Sequence, residues 1–445
     1  MAGQAGSHPL APADGHRRRK HAECRRRESE SAVWAGGDGA EPRGDGQVNG
    51  RRHEVALVAT GQLVTTAGLT VVVPLLPLHL EALGADGPSR NLWAGAVLAA
   101  PALTMAAAAP MWGRAADRWG PKAMVVRSLC GLGAALALMA LARSPLQLLG
   151  ARLLQGAAGG ISDAGATYLV SAADAGVATG LGRLQRASAA GALVGPLAGG
   201  PLADTLGLGA VLAFAAALTA ATALLAGLIL KGRHPESVGA AQGGGEEPVE
   251  VAPGGSASRR RCLVAGLLAQ VGSYGLVTVF APHVRGVIPD ARLAGTWVGG
   301  LQAVTWGAAF ASATWWSARL ERHLPFATAA ALGVLGLAIV LQAVPPQPAA
   351  LVPLRVIQGW CASAIVPAVL LEASRAAGKV RSGAAIGAAT GVLTAGQVVG
   401  ALGAGIAATV LPVPVVIVIL GTVVAGGAAV ALGGARMGQA AVVAG

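Results

Sequence analysis

Charged side chains are rare in this sequence, and a few stand where an apolar chain gives them no ready partner. Arg152 and Asp163 both lie inside one apolar run, 146–172. On an unbroken helix their separation turns through about 1100°, within about 20° of whole turns, which sets both charges on one face about 16 Å apart. An ionised group at membrane depth costs roughly 2.5–3.5 kcal/mol on insertion scales, so each is a functional-site candidate. The chemistry on offer is proton exchange. Asp163 would take and release a proton as a cavity around it dries and hydrates, with Arg152 completing the couple; the bland alternative is a charge held by neighbouring helices.

A second constellation is Gly113-Arg-Ala-Ala-Asp117-Arg118-Trp-Gly120-Pro121-Lys122, a charged turn between two apolar runs. Its carboxylate suits hydrogen bonds from a helix N-terminus and its arginine suits a carboxylate at another helix end, the parts of a conformational latch. Asp174 and Glu372, near the ends of two other runs, are the expected partners of Arg118 and Arg322, and Glu321-Arg322 is a second copy of the acid–arginine pair. Polar or aromatic groups within apolar runs, namely Gln62, Thr65, Gln270, Tyr274, Gln302, Trp306 and Gln397, are the substrate-contact candidates. Each reads more readily as glue between helices. No nucleophile–base pair, metal-ligand cluster or Gly-x4-Gly-Lys-Ser/Thr phosphate loop occurs. The expectation is therefore no enzyme, no metal and no cofactor, with any work drawn from an existing gradient.

The elements that must position these groups follow from composition. Of 445 residues, 54% are hydrophobic and only 12% charged, and the mean hydropathy is +0.60; a soluble chain carries about 25% charge. The chain is an all-α integral membrane protein, and with 3% aromatics it lacks the girdles of a β-barrel. The net charge of +12 reflects topology rather than nucleic acid. The four cysteines, Cys24, Cys130, Cys262 and Cys361, show no paired spacing. Twelve apolar runs are long enough to span about 30 Å of hydrocarbon: 54–83, 91–111, 121–142, 146–172, 178–203, 208–231, 262–284, 293–317, 326–344, 348–374, 383–410 and 413–435. Residues 1–52 read as a disordered basic tail, with His16-Arg-Arg-Arg-Lys-His21 as a possible membrane-surface anchor, or as an over-extended gene start. The domains expected are helical bundles over 53–231 and 262–437, a Gly/Glu/Pro-rich linker over 232–261 and a short tail over 438–445. Basic loops fall on one side, which places both termini and the linker in the cytoplasm and the chain in the cell membrane.

The two halves repeat each other. At an offset of 204, Gly68 falls on Gly272, His79 on His283, Trp93-x-Gly95 on Trp297-x-Gly299, Trp112 on Trp316, Asp117-Arg118 on Glu321-Arg322 and Pro121 on Pro325. At 203, Arg152-x-x-Gln155-Gly156 falls on Arg355-x-x-Gln358-Gly359. These are parallel repeats about an axis along the membrane normal, which puts a site between the halves near the midplane.

The repeat and Gly113-x3-Asp117-Arg118-x-Gly120-x-Lys122 resemble the major facilitator superfamily and its loop 2–3 signature. Arg152-x-x-Gln155-Gly156 is similar to the fourth-span signature of proton-coupled members, from which Asp163 departs. Gly182-x8-Gly191-x3-Gly195-Pro196-x2-Gly199-Gly200 matches the fifth-span antiporter signature at every named position. Glycines recurring every fourth residue offer a smooth face for a neighbouring helix, and Pro196 invites a kink. The likeness covers roughly 53–435 and is closest to twelve-span drug:proton antiporters of the MdtG multidrug-resistance kind. It implies two six-helix bundles that rock about a midplane site to export a small amphiphilic compound, such as a drug, natural product or siderophore, against protons. The partners expected are that substrate, protons and lipid, without nucleic acid, in a monomer. The rivals are a proton-coupled or facilitative importer of a sugar or organic acid, and a non-transporting receptor that keeps the fold.

Overall fold

The computed structural model describes residues 45–172, 177–232, 255–288, 290–344 and 347–443, besides Gly3. The chain divides into two compact units, Met1–His53 and Glu54–Gly445, and the packing below is that of the second. Among the described residues there are eleven α-helices. α1 is Asp45–Ala82, α2 Gly87–Leu141, α3 Pro145–Ala158, α4 Ile161–Ala172, α5 Val177–Leu206 and α6 Leu208–Ile229; α7 is Gly255–Val287, α8 Ala294–Leu341, α9 Leu351–Ala362, α10 Ile365–Val410 and α11 Val413–Val443.

These helices accommodate the twelve expected spans once two kinds of irregularity are read correctly. α2 and α8 are each two spans long, and each consists of two helical segments joined at a kink around one non-helical residue. In α2 the residue is Gly120, at φ 75° and ψ 169°; in α8 it is His323, at φ −138° and ψ 47°. The first is a conformation that only glycine adopts without strain. The second copy has Leu324 where Gly120 stands in the first, so its turn moves one residue back and uses negative φ instead.

Conversely, two expected spans are broken. The run 146–172 divides into α3 and α4 at Gly159-Gly160, with Gly160 at φ 96°, and 348–374 divides between α9 and α10 at Ser363-Ala364. The breaks sit at equivalent places in the repeat, and the apolar composition on either side hides them from a hydropathy reading.

Other boundaries differ from expectation. α1 begins at Asp45, inside the expected tail, and α11 runs to Val443, through most of the expected final tail. The backbone of α10 is helical across the expected loop between spans ten and eleven. Of the linker, residues 233–254 lie outside the described residues.

Among the described residues, nine helical stretches are long and apolar enough to cross a membrane, one of them being the double-length Ala291–Leu341. Large apolar side chains line the outside; Phe214, Leu224 and Leu228 of α6 are more than 60% exposed, which suits hydrocarbon and not water. The main core joins Leu76 and Leu80 of α1, Leu136 and Met139 of α2, Leu276 and Phe280 of α7 and Leu332 and Leu335 of α8. Two further seams matter for the site. α5 packs on α8, and α2 on α10, so each half lays two helices against the other half.

Candidate functional site: buried arginines at the seam of the repeat

Ser144 accepts a hydrogen bond from the Gln147 backbone N–H at 3.3 Å and Pro145 fixes the first turn, which starts α3 and carries Arg152 inward. Arg152 is 2% exposed. Its Nε donates to the Val97 carbonyl at 3.1 Å and its Nη1 to Gln155 Oε1 at 2.6 Å. Tyr274 of α7, in the other half, lies within its electrostatic reach. Arg355, its repeat equivalent on α9, is 1% exposed. Its Nη1 donates to Gln358 Oε1 at 2.9 Å and its Nη2 to Gln302 Oε1 at 2.7 Å, and the guanidinium stacks 3.8 Å from the Phe280 ring centre. Gln358 is held in turn by Gln342 Nε2 at 3.0 Å. Among the described residues neither arginine meets a carboxylate.

The glycine that follows each motif has a packing reason. A methyl group on Gly156 would strike the Pro101 carbonyl and Thr104, and one on Gly359 would strike the Thr305 carbonyl. Backbone contact of this kind locks α3 to α2 and α9 to α8, fixing the depth of each arginine.

The shared face expected for Arg152 and Asp163 depends on an unbroken helix, and the break at Gly159-Gly160 removes that basis. The Asp163 side chain lies outside the described residues. The break is itself clamped: Arg127 donates to the Gly159 carbonyl at 2.9 Å while lying 3.7 Å over the Trp112 ring, and Trp112 Nε1 donates to the Ala157 carbonyl at 2.6 Å. In the second half Trp316 Nε1 donates to the Trp360 carbonyl, also at 2.6 Å, and Ser312 meets Ser363 at 2.7 Å.

The antiporter-type face is a ladder against α1. Methyl groups on Gly191, Gly195 and Gly199 would meet Leu63, Ala67 and Val71 in turn, four residues apart on both helices. Gly200 faces the other way, onto Gly295 and Gly299 of α8, with the Pro196 carbonyl against Gly299. Its counterpart is Gly95 of α2 against Ala401 and Gly405 of α10. Space is open beside Gly182, and α5 runs through Pro196 as one helix, so the expected kink does not interrupt it.

The latch residues stand apart. Gly113 and Arg118 are exposed, Lys122 is half-buried, and the Asp117 side chain and all of Asp174 lie outside the described residues. Glu321 and Arg322 are exposed, and Arg375 Nη2 donates to the Glu321 carbonyl at 3.1 Å. The expected Arg322–Glu372 ion pair is not formed; Glu372 instead lines a small pocket with Arg261, Cys262 and Pro325. Of the substrate candidates, Gln62 donates to Thr66 of its own helix and to Ser162 of α4, both at 3.0 Å, and so serves as glue, whereas buried Thr65 bonds only the Gly61 carbonyl one turn back on α1. Gln270 backs Gly396 of α10. Tyr274, Gln302 and Gln397 are half-buried and Trp306, one turn beyond Gln302, is 42% exposed.

Three sets of contacts lie outside the site residues expected from the sequence. Asp204, at the end of α5, accepts from the Gly295 N–H at 2.8 Å and from the Thr296 N–H and hydroxyl, both at 2.6 Å, at the start of α8. Glu81 of α1 pairs with Arg90 and with Arg285 of α7, and Asn91 donates to the Ala408 carbonyl at 2.7 Å. All of these but the Glu81–Arg90 pair join the two halves, at the face away from the arginine-rich loops, which is closed here. Glu54, 3% exposed, accepts from the Tyr168 hydroxyl at 3.1 Å.

Residues 58–288 match the model of the Major Facilitator Superfamily. The chain is 33% identical over 379 residues to the staphyloferrin B transporter of Staphylococcus aureus, covering 82% of this chain and 89% of that protein. Over 160 residues it is 41% identical to the multidrug resistance protein MdtG of Yersinia enterocolitica, covering 36% of this chain and 39% of that one. Among solved structures, a bacterial homologue of the human lysosomal transporter Spinster, inward-facing and occupied, aligns with a TM-score of 0.69 at 15% identity over 87% of this chain and 97% of that one. The nucleoside transporter NupG aligns with a TM-score of 0.69 at 14% identity over 86% and 99%.

Proposed function

The chain belongs to the Major Facilitator Superfamily, as a multi-pass membrane transporter of small molecules and not an enzyme, and from that premise we propose that it exports a natural product, siderophore or drug in exchange for protons. The observation that carries this reading is the likeness to the staphyloferrin B transporter over most of both chains. The shorter likeness to MdtG and the fifth-helix glycine ladder against α1 favour efflux and antiport.

The steps follow from the contacts. With the Asp204, Glu81 and Asn91 contacts made, the two halves are pinned at the face poor in basic loops, and the site is reached from the cytoplasmic face, where both termini lie. Rocking parts those contacts, and Gly113, Asp117, Arg118, Gly120 and Lys122, with Asp174, Glu321, Arg322 and Glu372, then latch the cytoplasmic face. Asp163 and Arg152 link a proton to that exchange.

Everted vesicles carrying the full chain test this. Addition of the transported compound is expected to drive proton movement out of acidified vesicles, and Asp163→Asn to abolish it while leaving the protein in the membrane. Counterflow of a sugar or organic acid, without proton movement for any drug or siderophore, would make the importer reading the better one.

A further inference from the structure

The two buried arginines carry an assignment that the transport reading leaves open, and it rests on that reading. A guanidinium stays charged at any physiological pH. Arg152 and Arg355 are each at most 2% exposed, and among the described residues their partners are a backbone carbonyl, three glutamine oxygens and an aromatic ring. Such dipoles do not neutralise charge, and Arg355 Nε is left without an acceptor among those residues; an unneutralised buried cation is strongly disfavoured. The arginines stand at one depth: Arg152 is seven residues past Pro145 and Arg355 seven past Pro348, the residues that start each helical stretch, or about 10 Å below the closed face.

The site also has an open edge. Gln155 and Gln302 are only half-buried although they bond the arginines, and so is Tyr274, which lies within electrostatic reach of Arg152. Among the described residues Arg152 Nη2 has no protein acceptor, whereas Nε and Nη1 are both used. Arg355 is braced from three sides by Gln302, Gln358 and Phe280, with Gln342 behind Gln358. Each arginine thus keeps one donor unused, Nη2 on Arg152 and Nε on Arg355, and Arg355 is the more tightly braced of the two.

We propose that Arg152 and Arg355 form the anion-binding pair of the transport site, and that the substrate class is molecules carrying two or more carboxylates. Arg152 takes one carboxylate through its free Nη2 edge, with the Tyr274 hydroxyl as a second donor across the seam. Arg355 supplies the field for the other carboxylate and offers its Gln302 partner as a contact. Substrate charge, rather than a protein carboxylate, balances the two guanidinium groups. This gives Arg152 a ligand-binding role in place of a purely proton-linked one.

The test uses the purified full chain in lipid nanodiscs, with tryptophan fluorescence as readout, since Trp306 lies one turn from Gln302. The probes are glutarate and citrate, their neutral methyl esters, and tetraphenylphosphonium. Both acids are expected to bind at least about tenfold more tightly than their esters. Arg152→Gln is expected to lose that preference and Arg152→Lys to retain part of it; Arg355→Gln is expected to weaken citrate more than glutarate. Equal binding of acids and esters by the unaltered chain, a comparison that needs no variant to fold, overturns the proposal. So does tetraphenylphosphonium binding with no acid bound. Flux in vesicles separates the two readings: acids that bind without flux sink the transport role and leave the anion site, whereas drug efflux indifferent to carboxylates sinks the site and leaves transport.

Discussion

At the scale of the residue, the glycines next to the arginines decide as much as the arginines do. A Cβ at Gly156 has nowhere to go, because it meets the Pro101 carbonyl, which belongs to backbone and cannot rotate away. Gly150, on the same helix, has open space. Gly156→Ala is therefore expected to destabilise the protein by about 1–3 kcal/mol through overpacking. Gly150→Ala is expected to be neutral or stabilising by up to about 1 kcal/mol, since alanine loses less backbone entropy in a helix. Thermal unfolding in detergent of the two variants measures the difference, and equal stabilities would sink the packing argument. The motif Arg152-x-x-Gln155-Gly156 was legible in the sequence because its copy recurs at 355–359, and both the arginine and the glycine proved to be buried. The partners were not legible: that Gln302 holds Arg355, or that Tyr168 reaches Glu54, depends on contacts between distant segments that no spacing encodes.

At the scale of the element, the chain was readable where polarity changes and opaque where it does not. The repeat, the count of spans and the glycine face of α5 come from patterns of residue type, and α1 proved to be the partner of that face. The breaks at Gly159-Gly160 and Ser363-Ala364 interrupt runs that are apolar on both sides, so only backbone geometry reveals them. The same point separates the two hairpin-like turns. Gly120 at φ 75° and ψ 169° occupies a region closed to other residues, whereas the second turn uses no positive φ. Gly120→Ala is expected to cost about 1–3 kcal/mol, while Leu324→Ala, in the equivalent position, carries no such backbone strain. Its cost is confined to the lost packing of a 6% exposed leucine, about 2–5 kcal/mol. Leu324→Gly loses the same packing and adds the backbone entropy of glycine, so it is expected to be less stable than Leu324→Ala, whereas in the first turn a glycine anywhere but position 120 fails to restore stability. Unfolding curves for Gly120→Ala beside Ala116→Gly, Gly120→Ala check this, and recovery in the double variant would contradict it.

At the scale of the whole second unit, the contacts that close one face differ greatly in strength, and that ordering predicts how the two halves part. The Glu81–Arg285 pair is partly exposed, with side chains 24% and 43% accessible, so it contributes about 0–1 kcal/mol. Asp204 accepts three hydrogen bonds from the first turn of α8, two of them from backbone N–H groups that have no helical partner. Hydrogen bonds to a charged group contribute about 1.5–3 kcal/mol each, and the helix N-terminus adds to them. Asp204→Ala should therefore move the balance toward the state open at this face by more than tenfold, since about 1.4 kcal/mol is a factor of ten, while Glu81→Ala should shift it several-fold at most. Ala401, 0% exposed in the seam against Gly95, reports that opening. In a cysteine-free background, Ala401→Cys should react slowly with a membrane-impermeant maleimide. The reaction should speed markedly when Asp204→Ala is added and only slightly with Glu81→Ala. A larger effect from Glu81→Ala would mean that the charged cluster, and not the capped helix, holds the halves together.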